Sequence, residues 1–410
     1  MNAISDDSSL GVAYDHPALL TTATRDYRYN LMAELMDRER LDALAFTTGS
    51  FFQFATNFDT DVQTWERPIL CVVPRKGNAF VVLNELSRYH WRFRTEAGRL
   101  WVSDAHFYAE YPVSRERRIP QISQWAELVA DRLREAGVQR GRIGLDNSNL
   151  DHVSRILPSV AFVDLAAGCR ELRYAKHPEE IAVMRQASAL SDWAQERYRE
   201  NIAPGRLVHE LDASMKALIF EEAARRFAGE EMQLCCWTLS GPASAAPHGD
   251  GRSVGARIHK GDVLVNIVTP RLSGLLIENE RTWFCGRPSA RQIQLFEAAR
   301  MATEAACAAA VVGNPVSAMD RAARQVFERA GVADLITHRT GHGMGIDCHE
   351  HPIDTAFNMR PLITREVYSA EPGIYEWGLG GFRHDDTVVV GDVPEILTKA
   401  PKDIESQTIV

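Results

Sequence analysis

Apolar residues recur at helical spacing from Arg25 to Arg40, with Leu31, Met32, Leu35 and Met36 on one side, which predicts a helix. Leu41 to Thr47 follows as a nearly unbroken apolar run, the pattern of a buried strand. Ile69 to Val73 and Ala79 to Leu83 are two more strand-like runs, and the turn-rich Arg75-Lys76-Gly77-Asn78 between them predicts a hairpin. Trp125 to Ala136 returns to helical spacing, and Arg142 to Asp146 reads as a strand. This alternation predicts a small α/β domain over residues 1–172. A boundary is expected near Arg173 to Lys176, because His177-Pro178-Glu179-Glu180 puts a proline and two acids where a helix begins. The helix that follows is long and amphipathic, with Ile181, Met184, Ala187 and Leu190 on one face. Beyond it, strand patterns at Val263–Thr269, Leu275–Cys285 and Asp386–Val390 alternate with helices. They predict a second domain, residues 173–410, with a mixed sheet covered by helices.

Composition narrows the function classes. A chain of 410 residues exceeds one ordinary core, and 45% hydrophobic with 25% charged residues predicts packed globular structure. The net charge of -9 argues against nucleic-acid or anionic-membrane partners, and the run Arg115, Arg117, Arg118 reads as a solvated face. The first twenty residues carry no basic segment followed by an apolar core, so a secretory signal is not expected. No apolar run has the length of a membrane span. The seven cysteines are irregularly spaced, with Cys235 and Cys236 adjacent, and fit neither a disulfide framework nor a zinc motif. A cytoplasmic location is expected.

Polar residues also stand where a plain core strand would not place them. Asn266 interrupts Val263-Leu264-Val265-Asn266-Ile267-Val268, and Glu278 and Glu280 lie two apart, so a regular pleat aims both carboxylates at one face. Further on come Gly341-His342-Gly343-Met344-Gly345, Ala370-Glu371-Pro372-Gly373 and Arg383-His384-Asp385-Asp386. Buried carboxylates are costly unless they bind a cation or share a proton, so an ordered series of them points to a site.

Taken in order, these segments resemble the creatinase/aminopeptidase superfamily. The match runs from Arg173-Tyr174-Ala175-Lys176-His177-Pro178-Glu179-Glu180-Ile181 through Pro247-His248, Gly261-Asp262-Val263 and Glu280-Arg281-Thr282-Trp283-Phe284. It ends with Gly341-His342-Gly343, Glu371-Pro372-Gly373 and Arg383-His384-Asp385-Asp386-Thr387. The resemblance implies a small α/β N-terminal domain followed by a pita-bread catalytic domain, and a homodimer. Metallopeptidases of this superfamily hold two ions with two aspartates, a histidine and two glutamates. Here those positions read Asn266, Glu278, His342, Glu371 and Asp385. Asn is a poor substitute for a chelating carboxylate, so one ion position is expected to be lost. The remaining Glu278, His342, Glu371 and Asp385 form a set for a single divalent ion. One extra residue separates Asn266 from Gly274 relative to the family.

Creatinase, which is metal-free, also has Asn at the first position, a Glu matching Glu280, and an aromatic-x-Arg-Pro loop matched by Trp65-Glu66-Arg67-Pro68. It differs at Glu278, at Asp385 and at Ile353, where it has a substrate-binding arginine, so creatine itself is not expected as substrate. The resemblance thus implies first a hydrolase without a metal cofactor, cleaving a C–N bond of a small polar, carboxylate-bearing molecule. His248 would take a proton from water, Glu280 and Glu371 would hold and polarise the substrate, and His342 would orient it or tune the glutamates. Trp65, Arg67, Asn266, His349 and Asp385 would bind it, with Trp65 and Arg67 reaching in from the dimer partner. The alternative is a metal-dependent Xaa-Pro dipeptidase or aminopeptidase using Mn, Zn, Co or Fe, with His349 against the substrate. A lyase or a binding pseudoenzyme on the same scaffold is a further alternative.

Overall fold

A computed structural model describes residues 17–60, 62–109, 120–147, 150–249 and 254–410. The basic run at Arg115, Arg117 and Arg118 lies outside them. The N-terminal part is a six-stranded sheet. Its strands are β1 (Ala43–Phe46), β2 (Leu70–Pro74), β3 (Phe80–Asn84), β4 (Asp104–Tyr108), β5 (Arg142–Leu145) and β6 (Ala161–Asp164), in the order β4-β3-β2-β1-β5-β6. The β2–β3 hairpin forms where the turn residues predict it, and the first helix spans Thr22–Glu39. That helix starts because the Thr21 side chain accepts from the Ala23 N–H, and it stops at Arg40 in the left-handed conformation.

The helix Pro178–Asn201 opens the second half. His177 and Glu180 form a reciprocal capping box there, and Pro178 needs no N–H in the first turn. The strands that follow are β7 (Met232–Ser240), β8 (Val263–Leu272), β9 (Leu275–Leu276), β10 (Asn279–Cys285), β11 (Val367–Ala370), β12 (Gly373–Glu376), β13 (Gly380–Arg383), β14 (Asp385–Val389), β15 (Glu395–Ile396) and β16 (Thr408–Ile409). The main sheet runs β11-β14-β10-β8-β7, and β12–β13 is a separate hairpin. The expected strand Leu275–Cys285 is in fact two, β9 and β10, interrupted at Ile277–Glu278.

Apolar packing joins the two halves. One cluster includes Phe46, Phe52 and Trp91 from the first half with Leu272, Ile277, Met344 and Ile346 from the second. An ionic knot lies beside it, where buried Glu350 accepts from Arg173 and, at 3.1 Å, from Lys176. Among the described residues, no helix is long and apolar enough to cross a membrane.

Candidate active site

Strand register builds the site. On the β10–β14 pair Glu280 lies opposite Asp385, and on β10–β8 it lies opposite Ile267, which in turn faces Trp237 of β7. Side chains in one such row share a sheet face. Trp237, Ile267, Glu280 and Asp385 therefore look into the same concavity. Asn266, one residue earlier, looks the other way. Its amide donates to Thr238 Oγ1 at 2.9 Å, and Thr238 donates to Asp212 at 2.6 Å. The structure thus departs from the expectation that Asn266 faces substrate. Ile267, the next residue, lies in the site-facing row instead. On the site face, β8 presents Val265, Ile267 and Thr269, and no carboxylate.

The other predicted residues do converge. His342 is 1% exposed, and its Nε2 lies 3.4 Å from Glu278 Oε2 and 3.5 Å from Glu371 Oε1. Its Nδ1 is 3.1 Å from the carbonyl of Gly343, a geometry that suits an Nδ1–H donor and leaves Nε2 facing the carboxylates. Flanking glycines bring this segment against β11: a Cβ on Gly341 would stand 2.0 Å from the carbonyl oxygen of Ser369. Asp385 accepts from Ser369 Oγ at 2.9 Å and from the Ala370 N–H at 3.2 Å. Oxygens of Glu280, Glu371 and Asp385 all come within 4.8 Å of one another. His349 stacks on His342 with ring centroids 3.7 Å apart. His248 is exposed at the rim and stacks on Trp237, centroids 5.8 Å apart, while the neighbouring Pro247 carbonyl accepts from Arg383. Trp65 is 80% exposed on the N-terminal loop, and Arg67 pairs with Glu66 beside it.

Several contributors escaped the sequence reading. Arg383 grips both oxygens of Glu280, and Tyr375 and His338 extend that network: Tyr375 OH is 3.1 Å from Arg383 and 2.8 Å from His338 Nε2. Arg383 lay inside a quoted motif, but nothing in the pattern told it apart from a surface arginine. The Cys348 thiol donates to Glu278 Oε1 at 3.1 Å. Only the fold of its loop brings it there.

Electrostatics divide the acids. Burial raises Glu280, Arg383 opposes it, and Glu371 and Glu278 add to it, so Glu280 is pushed up to about 8. Burial, with Glu278, Glu280 and Glu371, holds Asp385 well above its usual range. Burial also acts to raise Glu371, but His342 and Arg383 win and hold it at about 2. Burial alone would lower His342; Glu278 and Glu371 overcome it and raise the imidazole well above its ordinary value.

A cation resolves the conflict in this cluster. The Nε2 lone pair of His342 faces two carboxylates, and neither His342 Nε2 nor Glu278 Oε2 has a directed hydrogen bond. Either a proton on His342 or a divalent ion between the groups satisfies them. Glu278, His342, Glu371 and Asp385 are hard and borderline donors suited to one such ion. That set lacks a carboxylate from β8, because the row offers Ile267 there.

The sheet, its covering helices and this acidic well define a pita-bread hydrolase. The metallopeptidase family M24 model matches residues 182–392, and the chain belongs to that family, as a hydrolase acting on C–N bonds. It is 34% identical over 222 residues to a probable dipeptidase PepE of Mycobacterium tuberculosis, covering 54% of this chain and 57% of that protein. It is 30% identical over 221 residues to the Xaa-Pro dipeptidase of Pyrococcus furiosus, covering 54% of this chain and 62% of that one. These matches span less than two thirds of either relative. The crystal structure of dipeptidase PepE from Mycobacterium ulcerans superposes with a TM-score of 0.76 at 25% identity, covering 95% of this chain and 99% of that one.

Proposed function

We infer that the protein is a one-ion dipeptidase, cleaving the C–N bond of small Xaa-Pro-like molecules. The observation that carries this is His342, its Nε2 aimed between the buried carboxylates of Glu278 and Glu371. The relatives named dipeptidases support the peptidase reading over the creatinase-like, metal-free one. A divalent ion held by Glu278, His342, Glu371 and Asp385 would polarise the substrate carbonyl and lower the pKa of a water.

The chain's own groups do the rest. Glu371, ionised across the physiological range, would hold the ion and orient the attacking water. Glu280, held by Arg383 and pushed up to about 8, is the group placed to take the water's proton and pass it to the leaving nitrogen. His349 walls the well beside His342, and His248 closes the rim. Trp65 and Arg67, presented on an exposed loop, serve the site of a second copy in a homodimer, where the guanidinium suits a substrate carboxylate.

The test is hydrolysis of a panel of Xaa-Pro dipeptides before and after chelation, with Mn, Zn, Co or Fe added back. Turnover that stops on chelation and returns with one equivalent of metal is expected. Dipeptide turnover that survives complete chelation would overturn the reading.

A further inference from the structure

The acids of the well are held in different ways. Arg383 grips Glu280, and Asp385 accepts from Ser369 Oγ at 2.9 Å and from the Ala370 N–H at 3.2 Å. Glu278 stands in the break between β9 and β10, where the Thr387 hydroxyl secures its backbone. That hydroxyl accepts from the Glu278 N–H at 3.2 Å and donates to the Glu278 carbonyl at 2.9 Å. The carboxylate beyond is held at one oxygen, Oε1, by the Cys348 thiol at 3.1 Å. Its other oxygen, Oε2, has no directed hydrogen bond and lies 3.4 Å from His342 Nε2, which has none either. Both residues are more than nine-tenths buried. The thiol is itself fixed by its loop, because buried Glu350 accepts from the N–H groups of Ile346 at 2.7 Å and Asp347 at 3.2 Å just before it.

We propose that Cys348 is a positioning residue for the ion: its thiol holds Oε1 of Glu278 and so presents Oε2 to the ion beside His342. The proposal rests on the one-ion reading of the site, and it adds the residue that prepares Glu278 as a ligand. A glutamate side chain has several rotatable bonds, and ordering them at the moment of binding costs affinity. A donor already in place on one oxygen removes part of that cost, which is how outer hydrogen bonds orient ligating carboxylates. A thiol suits the position because it is a weak and neutral donor. It fixes the carboxylate without cancelling the negative charge that an ion needs, whereas the guanidinium on Glu280 competes with an ion for that charge.

Calorimetric titration of the metal-freed full chain with Mn tests it without relying on turnover, with Cys348→Val, Cys348→Ala and Cys348→Ser beside the parent. Val and Ala remove the donor and are expected to weaken Mn binding about tenfold or more, while Ser keeps a donor and is expected to stay within about threefold of the parent. The parent loaded with Co instead is expected to show no sulfur-to-metal charge-transfer band. Unchanged affinity in both Val and Ala variants overturns the role. So does an equal loss in all three variants, because packing rather than the donor would then matter. A sulfur-to-cobalt band that Cys348→Ser removes would make the thiol a ligand and overturns the positioning role as well. A parent that binds no ion overturns the one-ion reading and the proposal together, whereas one bound ion with indifferent variants overturns the proposal alone.

Discussion

His342 concentrates the chemistry at the residue scale. With Nδ1 directed at the Gly343 carbonyl and Nε2 between two carboxylates, it is satisfied only by a proton or an ion. His342 and Asp385 are both held well above their ordinary values, so an entering ion meets ligands that favour their protonated forms more than usual. An entering ion displaces protons from the groups that ligate it, whereas Glu371, at about 2, has none to give. Affinity is therefore expected to rise with pH. Titration in buffers of different ionisation enthalpy should register proton release, and pH-independent binding without release would contradict this. These side chains were legible in the sequence because each sits in a short motif whose internal spacing fixes its direction. Cys348 and Tyr375 were not, since a loop closure and a separate hairpin bring them to the acids.

Register decides the rest at the scale of the element. A slip of one residue turns every side chain of a strand to the opposite face. The polar break at Asn266 was visible along β8, but which face it takes depends on pairing with β7 and β10, and no local pattern records that. Ile267→Asp would put a carboxylate into the row beside Glu280. The variant is expected to hold two equivalents of metal where the parent holds one, as read by elemental analysis, and one equivalent in the folded variant would contradict the register argument.

The loop that carries His349 has its own anchor. Glu350 is buried with Arg173 and Lys176 and also accepts from the Ile346 N–H at 2.7 Å. Burial would raise it, but the two cations win and hold it at about 2. Its contribution is present above its unfolded value, about 4.3, and fades as pH falls towards 2. Glu350→Gln leaves two buried cations short of a partner, and a loss of about 3–5 kcal/mol is expected by urea unfolding at pH 7. A loss under about 1 kcal/mol would show the knot to be dispensable.

At the scale of the whole molecule, the alternation of strands and helices announced two α/β units. It did not announce their shared core, because the contacts of Phe46, Phe52 and Trp91 with Leu272, Ile277 and Met344 join segments far apart in sequence. Quaternary structure adds a further prediction. If the loop bearing Trp65 and Arg67 completes a partner's site, Arg67→Ala and His248→Ala damage different chains' contributions to one site. Refolding an equimolar mixture of the two inactive variants should then restore part of the activity, and confirmed heterodimers no more active than their parents would contradict it. The central claim is a well built for one divalent ion, with hydrocarbon where a second would need a carboxylate. Elemental analysis of protein saturated with Mn and freed of excess metal tests it most directly, read beside turnover of the same sample. One equivalent per chain, with activity tracking occupancy, is the predicted result; two equivalents, or full activity with none, would contradict it.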